Sequence, residues 1–374
     1  MASKFTYDPY RPHAYYRHYD DPVSPDTTSA GDRDDDARSE STSGTPAPSV
    51  YSFRSSVDGK VLLREAQGRK FNTQNDLYFL PADEQEYARL DMQHRMHLKG
   101  IDGLYIRKDD VRKVLAPDSG AQKAILDVGC GTGAWAIGMA EEFPHAQVVG
   151  IDLAPCTSRP LPDNCRLEFD DVTLGMSHYH NCFDLIHLRC VGNGVKDYPA
   201  LIEDLSKCLR LGGILLIVEA DLQVLNSHKE PIEPAFRPGK PNQSWVARIC
   251  FEAYNTMKAR GSSMDCGRQL LSWLKNEPLL KGEEYQKLHF PIGPWEKNRK
   301  DEKRAAHLEE VGELCRRSMK EFSRSVRPLL ISEGYFPEIV DKIIRCIDDE
   351  LSTLSVHTYT QWHYFSAQKR KPSA

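Results

Sequence analysis

The run Ala124-Ile-Leu-Asp-Val-Gly-Cys-Gly-Thr-Gly-Ala-Trp-Ala136 decides the fold of this 374-residue chain. It begins with an apolar strand, continues with three glycines at alternate positions, and ends in residues that favour a helix. Gly129, Gly131 and Gly133 permit a tight turn and let a ligand approach the backbone without meeting a Cβ atom. The run therefore predicts a strand, a ligand-binding loop and a helix in succession.

Short apolar runs on both sides of this loop indicate further strands. Each is rich in leucine or β-branched residues and apolar on both faces, which is typical of strands buried in a parallel sheet. The five runs, including that of the loop segment, are 125–128, 147–151, 166–169, 183–188 and 214–218. Because most intervals are long enough for a crossover helix, we expect an α/β fold with a doubly wound, Rossmann-like sheet.

The N-terminal segment has a different composition from the rest of the chain. Residues 1–50 carry five Lys or Arg against nine Asp or Glu, and residues 21–50 contain no Leu, Ile, Met or aromatic residue. Such a segment cannot bury enough apolar area to offset its chain entropy. We therefore expect a disordered acidic tail at 1–50 and order from about residue 51.

Helical signals flank the predicted sheet. Asp83 and Glu86 have the spacing of a helix N-cap and its returning acid, which predicts a helix over about 83–99. Apolar residues at helical intervals predict two amphipathic helices, at 308–322 and 339–354. The alternating stretch 357–365 predicts a final strand that returns to the sheet edge.

Composition excludes several classes of function. The net charge of −5 provides no global basic field for nucleic acid, and no run of about 18 apolar residues exists to span a membrane. Ten cysteines without a Cys-x-x-Cys spacing argue against zinc ribbons and indicate reduced thiols in a cytosolic or nuclear protein. The histidines show no metal-ligand spacing, so we predict no metal.

The spacing of the glycines indicates which ligand the loop binds. A nicotinamide-binding loop has the pattern G-x-G-x-x-G with a pyrophosphate at the helix N-terminus, whereas this loop has G-x-G-x-G with Asp127 two residues before it. A carboxylate at that position would repel a pyrophosphate but suits a ligand with an ammonium and a sulfonium group. S-adenosylmethionine has both.

Acids at the ends of the next two strands support this ligand. Asp152 follows the second strand and lies 19 residues after Gly133. An acid about 20 residues after such a loop can accept the ribose hydroxyls of the ligand. Asp170 or Asp171 follows the third strand, where its carboxylate can accept the adenine amino group while Val172 contacts the ring. A glycine loop alone is a weak signal, but a loop and two strand-end acids in this order form a specific one.

With these residues in view, the sequence resembles a known family. The motifs ILDVGCGTG, VVGIDL, FDLIHLR and LRLGGILLIVE resemble class I S-adenosylmethionine-dependent methyltransferases. The runs YFLPADEQE, RLD, GAWA, IHLR, DYP, PIGPW and the closing KP resemble, more narrowly, the fungal LaeA-like methyltransferases, over about residues 78–372. The predicted cofactor-binding residues are Asp127, Gly129, Gly131, Thr132, Gly133, Trp135, Asp152, Leu153, Asp170, Asp171, Val172 and Arg189.

The resemblance also implies a biological role. It implies a regulator of fungal development and secondary metabolism that acts on a protein, with velvet-type regulators or a related methyltransferase subunit as partners, in nucleus and cytoplasm.

The composition and the patterns of strands and helices predict the domain organisation. We expect a methyltransferase domain over 51–374, with a cofactor-binding core at about 120–222 and a helical cap over the acceptor pocket at about 225–330. A C-terminal helix and strand would follow at about 335–372.

The sequence identifies the catalytic and acceptor chemistry less clearly. His187 ends the fourth strand and is a weak candidate for a general base, the alternative being a histidine bonded into the fold. Methyl transfer from a sulfonium depends mainly on alignment, so no dedicated catalytic residue is required. Two other functions remain open, a small-molecule methyltransferase and a non-catalytic scaffold that uses the same fold.

Overall fold

The computed structural model describes residues 62–118, 120, 122–154, 159–237, 239–297 and 302–371. The predicted tail at 1–50 and the expected onset of order near residue 51 lie outside these residues. Among the described residues, no helix combines the length and apolar character that crossing a membrane requires.

A seven-stranded sheet forms the centre of the described chain. The strands are β1 Leu63–Ala66, β2 Arg69–Asn72, β3 Ala124–Val128, β4 Gln147–Asp152, β5 Cys165–Phe169, β6 Phe183–Arg189, β7 Leu209–Asn226, β8 Glu233–Pro234, β9 Gln243–Ser244, β10 Leu280–Pro291 and β11 Thr358–Lys369. The order in the sheet is β10-β11-β7-β6-β3-β4-β5. Strands β3 to β7 are parallel, and β11 runs antiparallel to both of its neighbours. The five predicted parallel strands and the doubly wound fold are confirmed.

Helices pack on the sheet and extend beyond it. They are α1 Glu84–Gly100, α2 Lys108–Leu115, α3 Ala134–Glu142, α4 Tyr198–Cys208, α5 Trp245–Arg260, α6 Cys266–Asn276, α7 Glu302–Ser325, α8 Arg327–Ser332 and α9 Pro337–Thr353. The predicted N-cap of α1 is present, because the Asp83 side chain accepts a hydrogen bond from the backbone N–H of Glu86. Helices α7 and α9 cover the two predicted amphipathic stretches.

Two expectations about the C-terminal half were wrong. The final strand, β11, does not lie at the sheet edge but between β7 and β10. The strand at this edge of the sheet is β10, which lies inside the stretch expected to be a helical cap. Its sequence is mostly polar because much of the strand is solvent-exposed, so it lacks the continuous apolar run by which the buried strands were identified.

A helical cap nevertheless covers one end of the sheet. Helices α1, α5, α7 and α9 share one apolar cluster with β7, β10 and β11, to which Met96, Ile249, Leu314, Ile343 and Trp362 contribute. The amphipathic pattern of α7 and α9 is therefore explained by packing within the cap. Because α1, α5 and α7 also line the cavity above the strand ends, this cluster positions the walls of the candidate site.

Candidate functional site

The glycine loop between β3 and α3 adopts the backbone conformation that its glycines allow. Gly129, Gly131 and Gly133 have φ angles of 66°, 55° and 71°, in the left-handed region. A Cβ atom on Gly131 would lie 3.1 Å from Cδ1 of Leu90 in α1, and one on Gly129 would lie 2.8 Å from Cγ1 of Val191. The loop therefore forms a tight cradle that side chains would fill.

Two carboxylates hold this loop in place. The backbone N–H of Gly131 donates to Oδ2 of Asp152 at 2.8 Å, and the Thr132 hydroxyl donates to Oδ1 of Asp91 in α1 at 2.8 Å. Oδ1 of Asp152 accepts a second hydrogen bond, from the N–H of Ala154 at 2.9 Å. Burial raises the pKa of Asp152 although these backbone donors favour the carboxylate. Sequence reasoning missed the role of Asp91 because its partner lies 41 residues away.

The acids after β5 occupy the neighbouring strand end. Oδ1 of Asp171 caps the short turn Val172–Leu174 by accepting from the N–H and the hydroxyl of Thr173 at 2.9 and 2.7 Å. Oδ2 of Asp170 lies 3.1 Å from Nε2 of His178, and burial raises the pKa of Asp170. Both acids line the same cavity as the glycine loop.

The cavity has a volume of about 210 Å³ and brings most of the predicted residues together. It lies over the carboxyl ends of β3 to β7, where open α/β sheets bind ligands, and α1, α5 and α7 cover it. Nine of the twelve predicted cofactor residues line it, namely Gly129, Gly131, Thr132, Asp152, Leu153, Asp170, Asp171, Val172 and Arg189.

The other predicted site residues do not line this cavity. His187 is buried, and its Nδ1 lies 2.8 Å from Oδ1 of Asp127. The Trp135 indole stacks on the His187 ring with 4.0 Å between centroids and donates to the Leu104 carbonyl. Asp127, Trp135 and His187 thus form a cluster behind the cavity wall, where the Asp127 carboxylate pairs with an imidazole. Neither Asp127 nor His187 presents its side chain to the cavity, contrary to the roles considered for them.

Gly133 also lies off the cavity lining, at the start of α3. A Cβ atom there would lie 3.0 Å from Cδ1 of Leu167 in β5. This glycine therefore serves the packing of α3 against the sheet.

Glu219 is a lining residue that the sequence reasoning did not assign. Its Oε1 accepts from the N–H groups of Val191 and Gly192, both at 3.1 Å, and from the Tyr198 hydroxyl at 2.9 Å. Burial outweighs these donors and raises the pKa of Glu219 to about 7. An acid directly after the apolar run 214–218 was the available signal, since the same pattern identified Asp152.

The lining residues contributed by α5, α7, β11 and the α5–α6 loop, which we call the cap-side half of the cavity, are mostly thioether, thiol and aromatic side chains. Those side chains are Met257, Met264, Cys315, Met319, Phe322 and Trp362, and the hydroxyl residues Ser263, Ser318 and Thr360 complete this half. The opposite half contains the glycine loop and the strand-end acids. This second half fits S-adenosylmethionine, because it combines a cradle closed to side chains with buried or partly buried carboxylates at two successive strand ends.

Comparisons with known proteins identify the family to which the chain is similar. Residues 92–263 match a family model described as a methyltransferase domain. The chain is 32% identical over 282 residues to the secondary metabolism regulator laeA of Coprinopsis cinerea, covering 74% of this chain and 67% of that protein. It is 30% identical over 298 residues to the methyltransferase pytC of Aspergillus terreus, covering 78% and 83%. It is 27% identical over 331 residues to the protein-methionine methyltransferase laeA of Emericella nidulans, covering 86% and 81%.

Proposed function

Because this chain belongs to the LaeA-like class I methyltransferases, which use S-adenosylmethionine, we propose that it methylates a protein side chain and thereby regulates fungal secondary metabolism and development. The bound cofactor supplies a methyl group on a sulfonium, which is already activated for transfer. The chain's own residues hold the loop, accept the ribose and adenine groups, and exclude water beneath the cap. Alignment of this kind lowers the barrier to transfer without a dedicated catalytic residue.

The observation that supports a particular acceptor is the lining of the cap-side half. A protonated lysine entering it would lose its hydration among thioethers and aromatic rings, which is unfavourable. A neutral, polarisable thioether suits this lining. We therefore propose a methionine side chain as the acceptor, in keeping with the name of the Emericella nidulans relative.

The position of His187 agrees with a thioether acceptor. A thioether has no proton to lose, so methyl transfer moves the methyl group and the positive charge from one sulfur to the other without a general base. His187 lies behind the cavity wall, and burial lowers its pKa. The proposed reaction does not require it to reach the acceptor.

The test is to incubate the protein with S-adenosylmethionine that carries a deuterated methyl group, together with fungal nuclear and cytoplasmic extracts. Mass spectrometry of the digested proteins should find the labelled methyl on methionine, and the label should be missing when Gly131→Val replaces the parent. Label on lysine or arginine would reject the thioether acceptor. Label confined to the small-molecule fraction would reject a protein acceptor.

Methylation of a small molecule is the second candidate function. Helices α1, α5 and α7 cover the cavity, which suits a compact acceptor. The relative pytC, which is named as a methyltransferase, is 30% identical to this chain. The small-molecule fraction of the labelling experiment distinguishes this candidate from the first.

Partners and cellular location are part of the same proposal. We propose velvet-type regulators or a related methyltransferase subunit as partners, in nucleus and cytoplasm. The supporting observation is that the laeA relatives are named as regulators. Affinity purification from nuclear and cytoplasmic fractions tests both points, and recovery of the chain alone from both fractions would reject the partner proposal.

A further inference from the structure

Charged side chains are unevenly distributed around the cavity. Four of the lining residues are acids, namely Asp152, Asp170, Asp171 and Glu219, and two are cations, Arg89 and Arg189. The methionine part of S-adenosylmethionine ends in an α-carboxylate, which a wall of acids would repel. Among the described lining residues, only the two arginines offer that carboxylate a positive charge.

Arg89 is held in a fixed orientation by one partner. Its Nε and Nη2 both donate to Oε1 of Glu86, at 3.0 and 2.7 Å, and the side chain is only 4% exposed. The remaining guanidinium nitrogen, Nη1, forms no hydrogen bond with the described residues, and it is not among their fully buried, unpaired atoms. Because Arg89 lines the cavity, Nη1 is the donor left for a ligand.

The partner of Arg89 is fixed by the cap. Oε2 of Glu86 accepts from the hydroxyl of Ser325 in α7 at 2.5 Å. The Phe322 ring of the same helix lies with its centroid 6.0 Å from Cζ of Arg89. The Arg89 side chain therefore loses little conformational entropy when it binds an anion, since its rotamer is already fixed.

Arg89 also lies beside the glycine loop. The next residue in α1, Leu90, is the one that a Cβ on Gly131 would contact, and Asp91 accepts from the Thr132 hydroxyl. The helix that carries Arg89 is thus docked on the loop that receives the methionine part of the cofactor. Arg189 is the competing cation, and its nearest described partner is Nδ1 of His94 at 3.5 Å.

We propose that Arg89 binds the α-carboxylate of the cofactor through Nη1, while Glu86 and Ser325 hold the guanidinium in place. The proposal rests on S-adenosylmethionine as the cofactor but not on the identity of the methyl acceptor. Arg89 would then contribute to ligand specificity, because it would not increase the affinity for an adenosine thioether that lacks the amino-acid part.

Two ligands test the proposal by calorimetry, S-adenosylhomocysteine and 5′-methylthioadenosine, which share the adenosine and the thioether but differ in the carboxylate. Arg89→Met alone would leave the fully buried Glu86 uncompensated, so it is combined with Glu86→Gln. The double variant should bind S-adenosylhomocysteine about tenfold or more weakly and 5′-methylthioadenosine within about twofold of the parent. Arg89→Lys keeps a positive charge at this position, so it should bind S-adenosylhomocysteine more tightly than the double variant does.

Matched controls make the readout specific. Glu86→Gln alone keeps the arginine but weakens the contact that holds its guanidinium, so its preference for S-adenosylhomocysteine should lie between those of the parent and the double variant. Arg95→Met removes an exposed cation from the same helix and should change neither affinity. A partly misfolded variant would lower the active fraction for both ligands alike, so the ratio of the two affinities reports on the carboxylate.

Two results would overturn the proposal. The first is an unchanged ratio of the two affinities in the double variant, whether neither affinity falls or both fall equally. The second is a selective loss of S-adenosylhomocysteine binding in Arg189→Met but not in the double variant, which would assign the carboxylate to Arg189. A parent protein that binds neither ligand would overturn the cofactor assignment as well, so the two failures are distinguishable.

Discussion

Asp152→Asn is the substitution that most directly tests how the cofactor half of the cavity works. Each carboxylate oxygen of Asp152 accepts a backbone hydrogen bond, Oδ2 from Gly131 at 2.8 Å and Oδ1 from Ala154 at 2.9 Å. Asparagine has the same shape but only one acceptor oxygen, so its amide NH₂ must face one of the two N–H groups. The variant therefore loses one loop contact and the negative charge that accepts the ribose hydroxyls.

The expected change in affinity follows from the proposed bond between Asp152 and the ribose. A hydrogen bond to a charged acceptor contributes about 1.5–3 kcal/mol. With a tenfold change in affinity for about every 1.4 kcal/mol, the loss of one such bond to a ribose hydroxyl should weaken S-adenosylhomocysteine binding by roughly ten- to 150-fold. Asp152→Ala removes both acceptors and should weaken binding further.

Calorimetry with S-adenosylhomocysteine measures this effect, and circular dichroism checks that the variants are folded. Asp163→Asn is the matched control, because Asp163 is an exposed acid outside the cavity lining. An Asp152→Asn variant that is folded and binds as tightly as the parent would refute the role of Asp152 in the site.

Four further predictions concern other parts of the chain. Gly131→Val places a β-branched side chain at a φ of 55° and against Leu90. The variant should therefore lose cofactor binding and fail to complement a deletion of the gene in the native fungus. Full complementation by a folded variant would instead support a non-catalytic scaffold. Since burial raises the pKa of Glu219 from 4.5 to about 7, the folded protein retains a proton that the unfolded chain releases, and the free energy of unfolding should fall as the pH rises through this window. Glu219→Gln should remove roughly 3 kcal/mol of this decrease in the free energy of unfolding. Urea denaturation at several pH values measures the effect, and identical pH profiles in parent and variant would contradict the prediction. His187→Gln should lower the melting temperature by removing a buried partner of Asp127 but leave cofactor affinity within about twofold, so a large loss of affinity at an unchanged melting temperature would place His187 in the site after all. Deletion of residues 1–50, which contain few core-forming side chains, should leave the melting temperature nearly unchanged, and a clear drop would show that the tail contributes to folding.

The sequence alone determined the fold class and much of the cofactor half of the cavity. Buried parallel strands are continuous apolar runs, left-handed turns require glycine, and acids at strand ends reach a ligand at the edge of the sheet. These are local properties, each encoded in a few neighbouring residues. That is why the five parallel strands, the loop after β3, and the positions of Asp152, Asp170 and Asp171 were predictable.

Only the tertiary structure decided which way side chains face and which distant residues meet. Successive side chains of a strand point to opposite faces, so a position next to a ligand loop does not place Asp127 in the cavity, and its true partner, His187, lies 60 residues away on β6. The polar edge strand β10 obtains its ladder hydrogen bonds from β11, whose paired residues, from Tyr359 to Lys369, lie 68 to 89 residues later in the chain. The contact that fixes Arg89 depends on Ser325, 239 residues from Glu86. Such pairs are selected by packing of the whole chain, because no local pattern of residues specifies a partner at that separation.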